Sequence, residues 1–83
     1  MAYNIEPRKV AGVITEVNQI LQGKGFNHGE VVIGLTELLG RIIVDATTNQ
    51  IQVQEMVKVV HSHLDSTIKI GCENTNKSLI QRV

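Results

Sequence analysis

NHGEVVIGLTELLGRIIVDAT, Asn27 to Thr47, reads as one helix with little face left for water. Its start is well marked. Asn27 is a capping residue, Glu30 three positions on completes a capping box, and Phe26 and Val31 occupy the two positions of a hydrophobic staple. At the helical period Val31, Val32, Leu35, Leu38, Leu39, Ile42, Ile43 and Ala46 form one broad apolar face, while Glu30, Glu37, Arg41 and Asp45 share a narrow charged sector. Ile33, Thr36, Gly40, Val44 and Thr47 follow at spacings of three, four, four and three, a second stripe well round the helix from the first. The β-branched run IIVDATT is a temptation to assign a strand, which the helical spacing before and after it opposes.

A single small domain has too few elements to cover two stripes, so the second is expected to pack on another chain. Gly40 adds weight: a mid-helix glycine costs about 1 kcal/mol relative to alanine, and the missing side chain lets another helix approach closely. The plainer alternative is that Gly34 and Gly40 tolerate a bend and that Ile33 and Val44 are stray exposed apolar residues. The spacing of the stripe favours association.

Eighty-three residues make one domain with a modest core, and oligomerisation is a common remedy for chains of that size. Cys72 is the only cysteine, so no internal disulfide can form, and a single thiol suits a reducing cytoplasm. Tyr3 and Phe26 are the only aromatic residues, leaving an aliphatic core and almost no platform for stacking on bases or sugars. Net charge is zero, distributed as +1 over residues 1–26, −2 over 27–48 and +1 over 49–83. No segment is a basic patch, which argues against nucleic-acid binding. MAYNIEPRKV lacks the pattern of a signal peptide and no apolar run reaches a membrane-spanning length, so a soluble cytoplasmic protein is expected.

Around the central helix the chain reads in order as follows. After a short polar lead, Pro7 suits a first helical turn, and Val10, Val13, Ile14, Val17, Ile20 and Leu21 give a single-faced amphipathic helix ending at Gln22, with Gly23 as its stop. Gly23-Lys24-Gly25 has the glycines and lysine of a phosphate-binding loop but neither its spacing nor its preceding strand, and reads as an interhelical turn. Asn49 and Gln52 mark a second capping box, opening a third helix whose seam is Val53, Val57, Val60, Leu64 and Thr67. Met56, His63 and Ile70 run beside that seam, with Val59 further round; Glu55, Lys58, Ser62, Asp65 and Lys69 form its wet side. Gly71 is expected to stop this helix, so that residues 71–83 form a polar tail. Leu79, Ile80 and Val83 close that tail, and terminal base rates favour disorder over docking on a neighbour.

Little in the chain commits to chemistry. His61 and His63 point about 200° apart on a helix and cannot share a tetrahedral metal site. His61 and Asp65 have proper i, i+4 spacing with Cys72 beyond, but a zinc ion needs further ligands and His28 is the only other imidazole, so no metal is expected. Ser62, Ser66 and Cys72 lack any motif of an activated nucleophile, and no cofactor fingerprint occurs, so neither an enzyme nor a cofactor is expected. A ligand would find room between subunits, where Arg41, His63, Thr48 and Asn49 are the candidates to bind a small polar or nucleotide-like molecule.

The expectation is an all-α domain over residues 1–70, with helices about 7–22, 28–47 and 50–70, assembled as a helical homo-oligomer. The central helix would lie between its own two neighbours and another chain, with Ile33, Thr36, Gly40, Val44, Met56 and Val59 at the interface. The expected role is a non-enzymatic interaction module that binds or inhibits a partner protein. The rival reading is a small-molecule or nucleotide-sequestering oligomer. Small size and neutral charge are also the profile of many accessory proteins of phages and mobile elements, an analogy of composition with no residue behind it.

Overall fold

A computed structural model describes residues 4–75, and every element in that range is helical: α1 (Pro7–Leu21), α2 (His28–Ala46) and α3 (Gln50–Asn74). The expected class and number of elements are present. The chain divides into two units, Met1–Ile42 and Ile43–Val83, with the boundary inside α2.

In the first unit, α1 starts where Pro7 sets the backbone, and the Glu6 carbonyl accepts from the N–H groups of Lys9 and Val10 at 3.0 and 3.1 Å. The helix gives way at Gln22, whose N–H donates to the Asn18 carbonyl. Gly23 and Gly25 have φ of +73° and +82°, a left-handed backbone that side chains resist, so Gly23-Lys24-Gly25 is a turn built on its two glycines. Asn27 and Glu30 then form the complete capping box. The Asn27 side chain accepts from the Glu30 N–H at 2.8 Å and the Glu30 carboxylate accepts from the Asn27 N–H at 3.0 Å.

In the second unit, IIVDA stays helical to Ala46, and the Thr47 hydroxyl donates to the carbonyl of Ile43 at 2.7 Å, satisfying one of the orphan acceptors at that helix end. The next capping box departs from the expected form. Asn49 accepts from the Gln52 N–H at 2.9 Å as anticipated, but the Gln52 side chain reaches past it and accepts from both the N–H and the hydroxyl of Thr48, at 2.8 and 2.9 Å.

The end of α3 is a correction. Gly71 does not stop the helix; α3 continues through the segment read as the start of a polar tail and ends at Thr75, whose N–H and hydroxyl both donate to the Gly71 carbonyl. A glycine terminates a helix when its left-handed freedom is used, and Gly71 does not adopt a positive φ. The remainder of the expected tail, 76–83, lies outside the described residues, and with it Leu79, Ile80 and Val83.

Packing is sparse. Among the described residues none is buried. The half-buried apolar residues sit near the turns: Val17, Leu21 and Val31 in the first unit, and Ile43, Ala46, Val53, Met56, Val57 and Val60 in the second. The broad face of α2 was expected to be covered within the chain, yet Val32, Leu35, Leu38, Leu39 and Ile42 are all exposed. The periodicity that places these residues on one face says nothing of how far along the helix a neighbour stays in contact.

Candidate functional site

The second stripe of α2 is open to solvent. Ile33 and Val44 are 58% and 67% exposed, and Thr36 is exposed with its hydroxyl donating back to the Val32 carbonyl at 2.7 Å. That intrahelical bond satisfies the hydroxyl. Gly40 is helical, and a Cβ built on it meets nothing within 4 Å, as is also true of Gly34. The two predicted interface residues of α3 differ from each other: Val59 is exposed, while Met56 is half-buried among the residues near the second turn.

The ligand candidates fare unevenly. Arg41, in the first unit, and His63, in the second, are exposed. Thr48 and Asn49 spend their polar atoms on starting α3: the Asn49 side chain accepts from Gln52, and the Thr48 N–H and hydroxyl both donate to it. A polar ligand there would compete with a helix cap.

What residue reading passed over is a cleft in the first unit. Leu21 at the end of α1, Phe26 in the connection and Glu30, Val31, Gly34, Leu35 and Leu38 of α2 line an open cleft of about 500 Å³. Its wall is apolar except for Glu30, whose carboxylate is engaged with the Asn27 N–H. The volume lies within the range of small-molecule sites, and an apolar lining of this kind suits an apolar side chain or an aliphatic ligand. The signal was present in the staple Phe26 and Val31 followed by Gly34, a glycine one turn later that leaves the wall open.

Among the described residues no group of three or more His, Cys, Asp or Glu side chains could hold a metal ion, and no helix is long and apolar enough to cross a membrane. Cys72 is a free, half-buried thiol. Comparisons of the chain with protein-family models, with curated proteins and with solved structures give no match.

Proposed function

We propose that this chain is a self-associating helical interaction module, acting inside the cell, whose role is to bind or block a partner protein. One observation carries the reading: α2 keeps apolar side chains exposed on both of its stripes. Burying a large aliphatic side chain contributes about 1.5–3 kcal/mol. Val32, Ile33, Leu35, Leu38, Leu39, Ile42 and Val44, each roughly half exposed, leave roughly 5–10 kcal/mol of that gain unrealised in one copy. A micromolar complex needs about 8 kcal/mol net of association costs that themselves run to roughly 4–15 kcal/mol, so the gain from one copy's face does not suffice by itself and both partners must contribute buried apolar surface.

Native mass spectrometry tests the proposal. A multiple of the 9.2 kDa chain is expected, and Gly40→Leu or Ile33→Asp should lower it while circular dichroism stays helical. A wild-type monomer at tens of micromolar would remove the basis of the reading.

The rival, a ligand-binding oligomer, gains support from the apolar cleft more than from Thr48 and Asn49. It predicts a co-purifying mass of a few hundred daltons, a size that a cleft of this volume accepts. Gly34→Leu, which narrows the cleft, should displace that mass. If Arg41→Ala or His63→Ala releases it instead, the ligand is polar and held as the sequence suggests.

A further inference from the structure

We draw no further inference here: the strongest candidate, the open apolar cleft lined by the end of α1, Phe26 and the first half of α2, has its charged side chain, Glu30, engaged in the cap at Asn27, and nothing in the structure shows what covers it.

Discussion

At the scale of single residues, the two helix starts carry most of the specific chemistry in this chain. Asn27 and Asn49 each accept a backbone N–H at under 3 Å, and replacing either by alanine should cost about 1 kcal/mol, read as a lowered midpoint in urea. Gln52→Ala should cost more than a simple surface truncation, because its side chain holds both polar groups of Thr48. Gly23→Ala is expected to destabilise by about 1 kcal/mol, since φ there is +73°. Both caps were legible in the sequence, because a cap is a local pattern in which residue type and spacing nearly determine the geometry. The shift of the Gln52 bond to Thr48 was not legible: a glutamine side chain reaches either N–H, and only the backbone turn decides between them.

For whole elements, the three helices and their starts follow from periodicity and capping, and the one misjudged boundary has a physical cause. Gly71 was read as a stop because glycine so often adopts the left-handed conformation after a helix. Here it is simply a helical residue beside open space. Gly71→Ala should accordingly stabilise α3 by about 1 kcal/mol and raise helicity by circular dichroism. If Gly71→Ala were destabilising, a left-handed stop at this position would be the better description. The cleft beside Phe26 and Gly34 belongs to the same lesson, since an absent side chain is visible in a sequence while the space it leaves depends on the packing of its neighbours.

For the molecule as a whole, the sequence announces more apolar surface than the described residues hide. Spacing identified both stripes of α2 and the seam of α3, and it overestimated how much of the broad first face of α2 the chain would cover by itself. If copies complete that coverage, stability is linked to concentration by mass action, and the midpoint of thermal unfolding should rise by several degrees between about 1 and 100 μM chain. A midpoint independent of concentration, measured by calorimetry over that range, would mean that the aliphatic faces remain wet in the working protein.

The gathering of half-buried residues beside the turns also sets where the backbone breathes. In most helical hairpins amide hydrogens near the connection exchange first and mid-helix ones last. Here the half-buried helical residues other than Cys72 lie toward the connections, around Val17 to Leu21 and Val31 in the first unit and around Val53 to Val60 in the second. In dilute solution deuterium should therefore enter the far ends first, α1 near Val10 and α3 beyond Leu64, and work inward, so that each hairpin opens like tongs with its joint protected to the last.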